Sequence, residues 1–175
     1  MPKTIAQKMR SPLSNIQLCS MLGCKEDDVI LYSKLREYST IDELLPTDKS
    51  FKILLLEDKP RSGHYTALYR QGDLICYFNS YGDKPDRDMN CIPRLIRKML
   101  GEDRPEISRL CADREIWYNH HKLQGENSQV CGRYCVFFIE CLKMGFSPDQ
   151  AIELLYKTKQ NGYRTFDEAV CSITP

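Results

Sequence analysis

The stretch CGRYCVFFIECLKMG (131–145) constrains the fold more than any other part of the chain. It is long enough for about four helical turns, and its apolar residues fall on nearly every side of such a helix rather than on one stripe. A helix of that kind has to be enclosed by other elements. FKILLLED (51–58) is a short continuous apolar run, which predicts a buried strand. HYTALYR and DLICYFNSY, joined at Gln71-Gly72, predict a hairpin, and EIWYNHHKLQ (115–124) predicts a further strand. SPLSNIQLCSMLG, with Ser and Pro at its start and Gly at its end, predicts a helix. Thr40 and Glu43 form a capping-box pattern closed by Pro46, and IPRLIRKML (92–100) has helical spacing up to Gly101. Ser147 and Pro148 stand where a helix N-cap and first helical residue belong. The predicted class is α+β: a small, mostly antiparallel sheet packed around a central buried helix.

At 175 residues, with no repeat, low-complexity tract or linker, the chain reads as one domain over 1–175. A net charge of +1 gives no global field for nucleic acid or an acidic membrane. No apolar run is long enough to span a bilayer, and MPKTIAQKMRSPLSN has no apolar core of a secretory signal, so membrane and secreted classes are set aside. The nine cysteines then read as reduced thiols in a reducing compartment. Cys131/Cys135 and Cys19/Cys24 lack a second ligand pair, and His120 and His121 are adjacent, so no metal site is expected.

A thiol stands at the junction between the polar segment QGENSQV and the apolar helix. There Cys131 meets unpaired backbone N–H groups and the positive end of the helix dipole, both of which favour a thiolate. Gly132 leaves room for a substrate carbonyl beside it. Taken alone, with nine cysteines in the chain, Cys131 reads as one more buried thiol. A nucleophile needs a base, and His64, placed at a sheet edge after a Pro- and Gly-bearing turn, is the first candidate; His120 and His121 follow. Asn79 falls roughly opposite His64 in a hairpin turning at Gly72 and could orient its ring, with Asp83 and Asp86 as substitutes. The Cys131 N–H and the side chain of Gln124, seven residues earlier, are candidate donors to an oxyanion.

His64 in Gly-His-aromatic, Phe78-Asn79-Ser80-Tyr81-Gly82, and QGENSQVCGRYC together resemble the adenain-like maturation proteases of adenovirus type. These belong to the clan that also holds the proteases of SUMO and other ubiquitin-like proteins. The resemblance covers about residues 51–145. It implies a Cys-His thiol protease with Cys131 as nucleophile, His64 as base, Asn79 orienting His64, and Gln124 in the oxyanion hole. It implies capsid precursors as substrates, cut at Gly-containing sites during virion maturation, by a monomer in the virion and infected cell. By the same resemblance a viral peptide joined through a cysteine, or DNA, could act as activator. Cys111 is the candidate for the peptide, though a half-buried strand thiol fits it equally. Arg94, Arg97 and Lys98 are the candidates for phosphates, though a solvated helix face is favoured. Two departures stand out: Asn79 occupies a position usually held by Glu or Asp, and Tyr65 one often held by Trp. Val130 replaces the Asp that precedes Cys in the ubiquitin-like-protein proteases, which makes that activity the alternative. A catalytically silent binding domain of the same fold is the other.

Overall fold

The computed structural model describes the backbone of all 175 residues and every side chain except those of Asp88 and Cys91. Five strands form one sheet in sequence order: β1 (Val29–Leu31), β2 (Phe51–Lys59), β3 (Ser62–Gln71), β4 (Leu74–Phe78) and β5 (Ile116–Tyr118). The two long ladders, β2 with β3 and β3 with β4, are antiparallel. The outer strands each add a three-residue parallel pairing, Val29–Leu31 on β2 and Ile116–Tyr118 on β4. The expected strand over 115–124 is therefore much shorter. After Tyr118 the chain leaves the sheet, and His120 and His121 lie exposed on a loop instead of alternating across a strand.

Helices cover both faces of this sheet. On one face Ile53, Ala67, Tyr69, Cys76 and Phe78 pack with residues of α2 (Asn15–Leu22), α6 (Cys131–Lys143), α7 (Pro148–Gln160) and α8 (Phe166–Ile173). On the other, Leu54, Leu56, Leu68, Ile75 and Tyr77 pack with α3 (Ile41–Leu44), α5 (Glu106–Leu110) and the 3-10 turn Tyr32–Glu37. β2 reads as unbroken apolar sequence because successive residues meet a core on either side. Two further helices, α1 (Ile5–Met9) and α4 (Arg94–Leu100), lie at the periphery. Among the described residues, no helix is long and apolar enough to cross a membrane.

The long apolar helix is α6, and all its residues except Glu140 and Lys143 are buried. Phe138 stacks on Phe78 at 4.6 Å and on Trp117 at 5.5 Å between ring centroids, which fastens the helix to the sheet. Such pairs add about 0.5–1.5 kcal/mol beyond the area they bury. Buried Arg133 donates to Thr174 Oγ1 and to the Pro175 carbonyl, so its charge is not left without partners. At α7 the expected cap forms: Ser147 Oγ accepts from Gln150 N and Gln150 Oε1 accepts from Ser147 N. At α3 the box is offset. Thr40 Oγ1 accepts from Glu43 N, but the Glu43 carboxylate reaches Ser39 N rather than Thr40 N.

Candidate active site

Cys131 is the first residue of α6 and is 9% exposed. Burial pushes its thiol above the ordinary range, while backbone N–H groups of Tyr65, Gly132 and Cys131 itself pull it down. Two of those donors belong to the open first turn of a 13-residue helix, the dipole environment anticipated from sequence. The third belongs to the residue after His64. Gly132 lines the cleft and has a packing role as well. A Cβ there would stand 3.2 Å from Leu18 Cδ2 and 3.3 Å from Leu13 Cβ, so its small size lets α6 pack against the segment leading into α2.

His64 lies near the start of β3, which is the central strand of the sheet and not an edge. It pairs with Leu56 on β2, and Gly63 before it is pressed so close that a Cβ would meet the Leu56 carbonyl at 1.8 Å. The β3–β4 register runs from Gln71↔Leu74 to Ala67↔Phe78, so Asn79 is a diagonal neighbour of His64 rather than its direct opposite. The diagonal still closes: His64 Nε2 is 2.8 Å from Asn79 Oδ1. That oxygen also accepts from the backbone N–H of Tyr81 at 2.9 Å. A backbone N–H can only donate, so the atom it faces is the oxygen, and Nε2 must carry the ring proton. Nδ1 is then the basic nitrogen. Tyr81 leans on the ring, with centroids 4.7 Å apart. Burial holds the imidazole below its usual 6.5, opposed by the Asn79 hydrogen bond and by the charge of Asp83.

The turn after β4 also holds Gln124. The Ser80 carbonyl accepts from the N–H groups of Leu123 and Gln124 at 2.8 and 3.0 Å. Ser80 Oγ donates to Gln124 Oε1 at 2.7 Å, and Gln124 Nε2 donates to the Ser128 carbonyl at 2.8 Å. The amide is thereby fixed in one orientation, with the second Nε2 hydrogen left for another acceptor. Further back, Asp167 of α8 accepts from Gly125 N at 3.1 Å and lies 2.8 Å from the hydroxyl of Tyr134. Ser80 lies within the Phe78–Gly82 run and Asp167 in no motif, and neither was given a role at the site from sequence.

A cleft of about 450 Å³ brings Cys131, His64 and Gln124 together, with Tyr81, Asp83 and Leu13 among its walls. Asn79 lies behind His64, fully buried. Other candidates fall elsewhere. Asp86 is no substitute for Asn79: its carboxylate accepts from Tyr32 Oη, Ile107 N, Ser108 N and Ser108 Oγ, tying α5 to the second core. Asp83 acts on His64 through its charge. Cys111 is not a strand thiol but the buried residue closing α5, 3% exposed, with burial pushing its thiol up to about 12. A thiol so enclosed is not presented to a peptide. Arg94 and Lys98 lie exposed on α4, beside Leu95 and Met99, which are exposed as well.

The whole fold is shared with a viral protease of known structure. The ASFV pS273R protease superposes with a TM-score of 0.55 over 97% of this chain and 68% of that one, at 17% identity. Its selenomethionine form gives a TM-score of 0.52 over the same shares, at 15% identity. No family model matches the sequence. An uncharacterized protein of Sputnik virophage, V9, is 35% identical over 129 residues, spanning 71% of this chain and 73% of its own. At that identity and coverage, this chain belongs to the family of the virophage protein V9.

Proposed function

We propose that the cleft is the active site of a cysteine endopeptidase of the adenain-like type, within a single domain spanning 1–175. The observation that carries this reading is the His64 Nε2–Asn79 Oδ1 bond at 2.8 Å in the cleft that also holds Cys131 at a helix N-terminus. A thiol, a ring with its basic nitrogen defined and a fixed amide donor are the parts that acyl transfer needs.

Burial disfavours the charged form of both Cys131 and His64, opposed at Cys131 by backbone N–H groups and at His64 by Asn79 and Asp83. As Sγ attacks the scissile carbonyl carbon, its proton passes to Nδ1 and the carbonyl oxygen takes up negative charge. The Cys131 N–H and the second Gln124 Nε2 hydrogen donate to that oxygen. The tetrahedral species collapses, the C–N bond breaks, and Nδ1–H protonates the leaving amine. His64 Nδ1 then takes a proton from a water whose oxygen attacks the thioester carbon; the C–S bond breaks, the acid product leaves, and Nδ1–H returns its proton to Sγ. Through the whole cycle Asn79 Oδ1 accepts from Nε2–H, steadying the transient imidazolium by a dipole instead of a charge.

The substrates we assign are structural precursor proteins of a virus, cut at Gly-containing sites in the virion or infected cell. The QGENSQVCGRYC resemblance and the membership in a virophage family support this. Wild type and Cys131→Ala, each incubated with capsid precursors of the source virus and in parallel with a ubiquitin-like-modifier fusion, test it. Cleavage of the precursor by wild type alone is the expected result. Cleavage of the modifier fusion alone would transfer the assignment to modifier processing, and equal cleavage by both proteins would remove Cys131 from the mechanism.

A further inference from the structure

We infer that Asn119 is a positioning residue for the reaction, holding Asn79 and through it the proton on His64; this rests on the protease reading of the cleft. The β4–β5 ladder ends at Tyr77↔Tyr118, and beyond it the strands part. Asn119 Oδ1 accepts from Asn79 N at 3.0 Å, and Asn119 Nδ2 donates to Asn79 O at 2.7 Å. The carboxamide thus pairs with the Asn79 backbone as another peptide group would, extending the ladder with a side chain. The other Nδ2 hydrogen goes to the His121 carbonyl at 3.3 Å. Asn119 is 3% exposed, so these groups have little water to turn to.

The chain of contacts has one direction. Asn119 fixes the backbone of Asn79 on both its polar groups, and that backbone aims Oδ1 at His64 Nε2. Oδ1 in turn decides which ring nitrogen is protonated. Among side chains of this length, an amide alone supplies both acceptor and donor. An Asp would keep the bond to Asn79 N and set a carboxylate oxygen against two carbonyls. An Ala would remove the acceptor that faces Asn79 N and leave Asn79 O with the Gly82 N–H at 2.8 Å, so the Asn79 backbone would be held from one side only; a buried group left unpaired costs about 1–3 kcal/mol.

The test reads the His64 ring directly by nuclear magnetic resonance, alongside steady-state cleavage. Wild type should show His64 in the Nε2-protonated form with a slowly exchanging Nε2–H. In Asn119→Ala that resonance should broaden into exchange with water and the tautomers should mix. In the same variant kcat should fall by about tenfold or more with KM little changed, as expected for a misplaced base. Asn119→Asp retains the acceptor for Asn79 N and carries the test if the Ala variant does not fold. The loss in kcat should largely vanish when Asn79 is already Ala, since the two residues act in series. A His64 resonance unchanged in a folded variant, or an undiminished kcat loss in the Asn79→Ala background, would overturn the inference. The ring readout needs no substrate, so a wild type that cleaves nothing would sink the protease reading while the role of Asn119 is still decided.

Discussion

The site turns on a neutral residue. Asn79 gives His64 a hydrogen bond but no negative charge, and burial then keeps the ring below 6.5. Replacing it with Asp would add a charge that favours imidazolium, raising the pKa and moving the acid limb of the pH–kcat/KM profile upward. Asp83→Ala should do the reverse, because its charge is one of the influences raising His64; the acid limb should move down while the rate above neutrality changes little. Asn79→Ala should lower kcat by roughly 10²-fold, from loss of the ring's orientation. That Cys131, His64, Asn79 and Gln124 would meet at one place was legible in the sequence, because each belongs to a short run whose order is informative. The contacts of Ser80, Asn119 and Asp167 were not. Their value lies in whom they touch across 40 or more residues, and local spacing carries no record of that.

At the scale of elements, apolar runs predicted the sheet centre and α6 well, since continuous burial leaves a continuous signature. Edges were harder. The aromatic run 115–124 has the composition of a strand, yet it leaves the sheet after Tyr118, where the Asn119 side chain replaces backbone pairing. Cys111 looked like a strand residue in SRLCAD, and it closes a short helix instead. Gly132 shows how α6 is seated: its Cβ position is already crowded by Leu13 and Leu18. Gly132→Ala should therefore destabilise the protein by about 1–3 kcal/mol through overpacking, despite Ala's better helix propensity. Urea unfolding should show a lower midpoint with an unchanged slope.

At the scale of the molecule, the site is assembled from both ends of the chain. Leu13 lines the cleft, and α8 reaches Gly125 through Asp167. Asp167→Ala should cost about 1–3 kcal/mol for the buried groups left unpaired, and should lower kcat by freeing the segment that bears Gln124. Stability should also respond to acid through His64. The unfolded ring takes up a proton near 6.5, which the folded ring resists, so stability is full above that pH and falls as pH drops below it. His64→Gln should flatten this part of the melting-temperature profile. The most direct test of the cleft's chemistry is an acid-quenched reaction with a cleaved precursor peptide, analysed by mass spectrometry. Acyl transfer through Cys131 predicts an adduct of the N-terminal product on the peptide bearing Cys131, absent from Cys131→Ala and not on any other cysteine. Full turnover by Cys131→Ala, or an adduct carried by a different thiol, would contradict it.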